Sequence, residues 1–252
     1  MRLTDRQGDI LATAKRFGKV TVDDLARSLS VTVQTVRRDL GLLADAGLLE
    51  RIHGGAVLPS GVRNIGYGDR RGLNRSAKAA IARACATAIP DGSSLFLNIG
   101  TTTEAVAKEL LRHKGLMVVT NNLNIANILA ENPHCDVIVA GGRLRRTDGG
   151  LVGDLTTEMI GHFKVDIAII GASGLDQHGD LLDFDPQEVR VSREILAQAR
   201  QSYLVADASK FTRAAPVKIG SLAQIDRFFT DASLGETLIN RCQDWGTQIV
   251  RV

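Results

Sequence analysis

The sequence predicts an α/β protein in two parts. A small winged helix-turn-helix occupies residues 1–57, a linker follows over 58–75, and alternating strands and helices fill 76–252. Three observations carry this reading. Val33, Val36, Leu40 and Leu43 recur at helical spacing and leave Gln34, Thr35 and Arg38 on the opposite face. Gly54 and Gly55 stand between two strand-like flanks, the signature of a hairpin. Beyond residue 76, short apolar runs alternate with helical stretches, as in a mainly parallel sheet covered on both faces.

Taken in order, the first segment opens with Thr4 and Gln7 at capping-box spacing, and Thr21 with Asp24 repeats the pattern. Helix one runs through Ile10, Leu11, Ala14 and Phe17 and ends near Gly18. Helix two carries Val22, Leu25, Ala26 and Leu29. After a tight turn at Ser30, Val31 and Thr32 comes the arginine-bearing helix, which Gly47 stops. Residues 48–57 then form the wing. A helix of this composition suits the DNA major groove: Gln34 matches adenine, Arg38 matches guanine, and Arg37 on the flank reaches a phosphate. Thr32, Thr35 and, from the wing, Arg51 and His53 complete the candidate DNA-contacting set. The alternative is a winged helix that binds protein.

Pro59, Ser60, Gly61, Gly66, Gly68 and Gly72 alternate with charges, the composition of a linker. A helix over 78–88 stops before Pro90, Asp91 and Gly92. Strands are expected at 95–97, 117–120, 137–140, 167–170 and 203–206, with helices at 103–112, 122–131 and 189–200. Open α/β sheets bind ligands beyond the carboxyl ends of their strands. The first such end reads Asn98, Ile99, Gly100, Thr101, Thr102, Thr103, Glu104. Two readings fit it: a helix N-terminus that cradles phosphate, or a threonine-rich cap with only structural work. Three further strand ends are small or polar: Thr120, Asn121, Asn122; then Gly141, Gly142, Arg143; then Gly171 onward. Four such ends together describe a shared pocket.

Arg143, Arg145 and Arg146 belong either to that pocket or to a solvated basic loop. Lys210 is the candidate cation for the ligand, with an exposed lysine as the alternative. Asp183, Asp185 and Glu188 precede the 189–200 helix, where carboxylates act as general bases, cap the helix or bind ligand hydroxyls. No P-loop, zinc-protease or nucleophile-elbow motif is present, and the five histidines are scattered, so no metal or cofactor is expected. Cys85, Cys135 and Cys242 are odd in number and far apart, which points to free thiols and a cytoplasmic protein. The net charge of +3 mildly favours an anionic partner, and no apolar run is long enough to span a membrane.

These residues together resemble the DeoR family of bacterial transcriptional repressors across essentially the whole chain. The resemblance rests on Thr35, Val36, Arg37, Arg38, Asp39, Leu40 and on the wing from Arg51 to Ala56. In the second domain it rests on Gly100, Thr101, Thr102, on Thr120, Asn121, Asn122, on Gly141, Gly142, and on Ala206 through Phe211. It implies an effector domain related in fold to ribose-5-phosphate isomerase and glucosamine-6-phosphate deaminase, sensing a phosphorylated sugar or polyol that releases the protein from DNA. Within the family the likeness is to the glycerol-3-phosphate group, so glycerol-3-phosphate is the expected effector. The marks are the 98–104 turn, Asp148, Gly149 and Gly150, and the stretch from Leu182 to Ser192. Many relatives carry Asp where Asn98 stands and Lys where Ser192 stands; both departures weaken an isomerase reading. Double-stranded operator DNA and a second copy of the chain, as homodimer or homotetramer, are the implied macromolecular partners, with no membrane and no enzymatic activity.

Overall fold

The apolar stripe of the third helix decides how the first domain closes. In a computed structural model, which describes residues 3–17, 19–46, 48–52, 54–58 and 66–252, that stripe packs on two earlier helices. Gly18, Gly47, His53, Pro59, Ser60 and Gly61, named above, lie outside the described residues. The elements are α1 (Asp5–Phe17), β1 (Lys19–Thr21), α2 (Val22–Ser28), α3 (Val33–Asp45), β2 (Glu50–Ile52) and β3 (Gly55–Val57). Ile10, Leu25, Val36, Leu40 and Leu43 form a core separate from the rest of the molecule. The Thr4–Gln7 capping box is reciprocal, at 3.2 and 3.3 Å. Thr21 caps α2 by accepting from the Asp24 amide, but its hydroxyl then donates to the Asp24 carboxylate. The wing pairs β2 with β3, and β3 with β1, both antiparallel. Gly54 supplies the positive φ of the turn (77°), whereas Gly55 is needed for close approach: a Cβ there would stand 2.0 Å from the Val20 carbonyl oxygen.

The interval read as linker contains a helix, α4 (Tyr67–Gly72), which polar contacts with the second domain hold in place. The remaining elements are α5 (Arg75–Thr87), β4 (Ser94–Leu97), α6 (Thr101–Glu109), β5 (Leu116–Thr120), α7 (Leu123–Leu129) and β6 (Cys135–Val139). They continue with β7 (Arg143–Arg145), β8 (Gly150–Val152), α8 (Asp154–Gly161), β9 (Val165–Ile170), β10 (Gly174–Leu175) and β11 (Asp180–Asp183). The chain ends with α9 (Pro186–Ala197), β12 (Ala199–Val205), β13 (Val217–Ser221), β14 (Arg227–Thr230), α10 (Glu236–Trp245) and β15 (Gln248–Arg251). α9 starts three residues earlier than the apolar pattern predicts because Asp185 caps it and Pro186 takes its first turn; residues 199–200 are already strand.

Seven strands form the parallel sheet β15-β14-β12-β9-β4-β5-β6. Alternation distributes its side chains: Leu95 and Leu97 face α5, α6 and α7, while Phe96 faces the layer of α8, α9 and α10. From β4 the chain moves outward through β5 and β6, then returns to β9 and moves outward the other way. The strand order therefore reverses between β4 and β9, which places a ligand crevice at their carboxyl ends. A β7–β8 hairpin and a small β10-β11-β13 sheet stand beside that crevice.

Candidate functional site

On the first domain, Thr32 caps α3 by accepting from the Thr35 amide (3.2 Å). Gln34, Arg37 and Arg38 are exposed on one side of α3, and Thr35 is half-buried beside them. Arg51 donates from the wing to the Arg37 carbonyl at 2.9 Å, fixing the wing base against α3. Asp39 is buried, holding Arg6 at 2.6 Å and Gln7 at 3.3 Å, so it ties α3 to α1. These partners account for the aspartate that follows the two arginines.

On the second domain, a small cavity opens at the β4–β9 crevice. Its walls include Gly100, Thr101 and Thr102 after β4, Gly171 after β9, Lys210 after β12, Asp183 and Glu188, and Arg70 from α4. The space open to the centre of a water is only about 20 Å³. Gly100 occupies the N-cap of α6 and offers no side-chain acceptor, so the first-turn amides of that helix keep the affinity for anions that helix N-termini have. Asn98 lies beneath: it accepts from the Gly171 amide (3.1 Å) and donates to Ser192 (3.3 Å), joining the ends of β4 and β9 to α9.

Cations converge here. The Lys78 ammonium donates to the Arg70 carbonyl. Nε of Arg70 and both Nε and Nη1 of Arg213 are buried without a hydrogen-bond partner. Burial pushes the Lys210 ammonium down to about 7, and Arg213, Lys78 and Arg70 add to the fall against the pull of Asp207. Burial likewise lowers Lys78 to about 8 and Arg213 to about 10. Burial alone would raise Asp207, but Lys210, the Ser209 hydroxyl, Lys78 and Asn74 outweigh it and hold the carboxyl below its usual range. Buried donors without acceptors are costly. A bound anion relieves both the repulsion among these cations and their unmet hydrogen bonds.

Carboxylates gather round Arg145, among them Glu188 of the cavity wall and Asp148, which Arg70 also contacts. Arg145 chelates Asp148 (2.9 and 2.8 Å), pairs with Asp185 (2.8 Å) and with Glu188 (2.6 Å). With one guanidinium shared three ways, Glu188 is pushed up to about 8 by its burial and by the neighbouring Asp183 charge. Among the described residues, no group of three His, Cys, Asp or Glu side chains is placed to hold a metal ion. No helix among them is long and apolar enough to cross a membrane.

Of the residues singled out in the sequence, Gly100, Thr101, Thr102, Gly171, Asp183, Glu188 and Lys210 line the cavity. Others stand off its wall. Thr103 donates to the Asn98 and Gly100 carbonyls and braces the loop. Thr120 donates to the Leu97 carbonyl, and Asn121 to that of Leu151. Asn122 caps α7 and reaches Glu104. The Gly141 carbonyl accepts from Thr156. Gly142 adopts φ 134° where a Cβ would meet that hydroxyl at 2.0 Å, so both glycines serve the packing of α8. Arg143 is exposed and bonds Gln187; Asp185 caps α9 and holds Arg145. Sequence reasoning missed Arg70, Lys78 and Arg213. The available signal for Arg213 was its position three residues after Lys210, at the cap that ends the 3₁₀ turn.

Comparison with known proteins covers nearly the full chain. The DeoR-like helix-turn-helix domain matches residues 6–62 and the DeoR C terminal sensor domain matches residues 73–232. The glycerol-3-phosphate regulon repressor of Escherichia coli (strain K12) is 46% identical over 232 residues, 92% of each chain. That of Haemophilus influenzae is 43% identical over 250 residues, 99% of this chain and 97% of its own. Among solved structures, ribose 5-phosphate isomerase A from Methanocaldococcus jannaschii aligns over 55% of each chain with a TM-score of 0.41 and 14% identity.

Proposed function

This chain belongs to the DeoR family, and from that premise we propose that it is a transcriptional repressor released from operator DNA by glycerol-3-phosphate. α3 and the wing read the operator, with Arg38 and Gln34 directed at base edges and Arg37 at a phosphate. The observation that carries the effector reading is the unpartnered, buried Nε of Arg70 on the cavity wall with Lys210 and the uncapped first turn of α6, while the buried Arg213 adds its charge to that of Lys210. That arrangement suits a phosphate. Asp183 and Glu188 of the same lining are acceptors for the hydroxyls of a small polyol.

The test is a thermal-shift titration paired with operator binding. Glycerol-3-phosphate raises the melting temperature, by roughly 2.7 kcal/mol of stabilisation at a hundred times its Kd, and weakens operator binding. A flat titration with another sugar phosphate active would reassign the effector. We also propose that the chain pairs about a two-fold axis, matching half-sites about 34–36 Å apart. Sedimentation showing a monomer on DNA would refute the pairing. Operator affinity falls with salt at a slope of about −0.9 per phosphate neutralised, whereas a protein-binding winged helix shows no such slope.

One arrangement favours a second reading, sugar-phosphate isomerisation: Glu188 is a buried carboxyl on the cavity wall near Asp183, and burial with that charge pushes it up to about 8. Its hydrogen bond to Arg145 leaves it engaged, and binding without turnover is the preferred reading. Turnover of ribose-5-phosphate or glucosamine-6-phosphate by the purified chain would reverse that order.

A further inference from the structure

α4 has six residues, two of them glycine. Isolated helices shorter than about 12–15 residues are marginal in water, so its helicity depends on docking. Among the described residues, α4 contributes nothing to the three apolar clusters. Polar contacts round the cavity hold it instead. Tyr67 donates to Glu104 (2.8 Å) and accepts from Asn124 (3.1 Å), and the Arg70 carbonyl takes the Lys78 ammonium. Arg70 pairs with Asp148 at 3.2 Å, but Arg145 chelates that carboxylate at 2.9 and 2.8 Å. Arg70 is thus the weaker claimant, and its Nε has no partner at all. A groove of about 480 Å³ between α4, α5 and α6 gives the helix room to shift.

Among the described residues α4 is also the first helix after the wing, and it falls between the two stretches that the family domains match. We propose that Arg70 is an anion-binding residue delivered to the effector site by the segment leading from the DNA-binding domain, and that seating an anion on it redraws the contacts of α4 and reports occupancy to the winged helix. The inference rests on the reading of the strand-end cavity as an anion site. A phosphate offers Arg70 oxygens that Arg145 does not already hold, so it draws Arg70 away from Asp148. Any resulting difference in α4 position between effector-bound and operator-bound protein is a coupling term that acts equally on both affinities.

The experiment uses the full chain, a labelled operator, and two probes: glycerol-3-phosphate and inorganic phosphate. In the wild type, saturating glycerol-3-phosphate lowers operator affinity by about 5- to 150-fold. Arg70→Ala binds the probe at least about tenfold more weakly and, once saturated, keeps its operator affinity. Arg70→Lys recovers part of the probe affinity without recovering release, because an ammonium lacks the fork. Full release by saturated Arg70→Ala overturns the proposal, as does unchanged probe binding. Hydrogen exchange of wild-type residues 67–78 supplies a readout that needs no variant: either probe changes protection there, and no change with both overturns the proposal. A change with inorganic phosphate alongside an operator indifferent to glycerol-3-phosphate removes the effector identity and leaves the role of Arg70 standing.

Discussion

Lys210 joins the electrostatics of the cavity to a measurable pH dependence. In the unliganded site burial pushes its ammonium down to about 7, well below an ordinary lysine, and a phosphate beside it favours the charged form. Binding therefore takes up a proton above that pH. The second ionisation of a phosphate monoester has its midpoint around pH 6, so the ligand charge is nearly constant above about pH 7.5. Affinity for glycerol-3-phosphate falls between pH 7.5 and 9 by at most about tenfold per unit for each proton taken up; Lys210→Met makes the fall shallower, leaving the share of Lys78 and Glu188, both placed at about 8. Calorimetry in buffers of different ionisation enthalpy reads the proton directly. Asn98 is the complementary case. Asn98→Asp sets a buried carboxylate under the α6 turn, and weakens phosphate binding by at least about tenfold. Equal affinity for the two forms would show that Asn98 is only a brace. Its contact with Ser192 makes the two a neutral hydrogen-bonded pair beneath the turn.

At the scale of elements, α3 and the strand ends were legible because periodicity and small polar residues report on local geometry. Val36, Leu40 and Leu43 are buried as their spacing requires, while Arg38 stays exposed. Arg38→Ala loses roughly 1–3 kcal/mol of operator affinity at one base position, measurable by competition among operator variants. α4 was not legible, since six residues with two glycines and adjacent arginines read as solvated chain, and only the fold brings Asp148 and Glu104 to them. Likewise the choice among Arg143, Arg145 and Arg146 depends on the β7–β8 hairpin, whose three-residue strands give no usable periodicity. Gly55 tests the wing. Gly55→Ala drives a methyl into the Val20 carbonyl, costs about 1–3 kcal/mol, and removes operator binding while leaving effector binding intact. Retained wing stability on thermal denaturation would show that β1 yields.

Across the whole molecule, two separate cores imply two unfolding events. The cluster round Leu40 shares no residue with the two layers that cover the parallel sheet. Calorimetry resolves two transitions, and glycerol-3-phosphate raises the one belonging to the sheet; a single transition that moves as a unit would contradict this. The reversal of strand order between β4 and β9 brings together groups from residue 70 to residue 210, which no local pattern connects. α1 also approaches the turn Ala208–Thr212 that bears Lys210, so the cavity has a neighbour from the DNA-binding domain on a second side.

The size of that cavity has a kinetic consequence. Room for about one water does not admit a phosphorylated polyol, so association waits on an opening step. The observed binding rate then stops rising with ligand concentration and levels at the opening rate. In stopped-flow mixing the plateau measures how quickly the wall formed by Arg70 gives way.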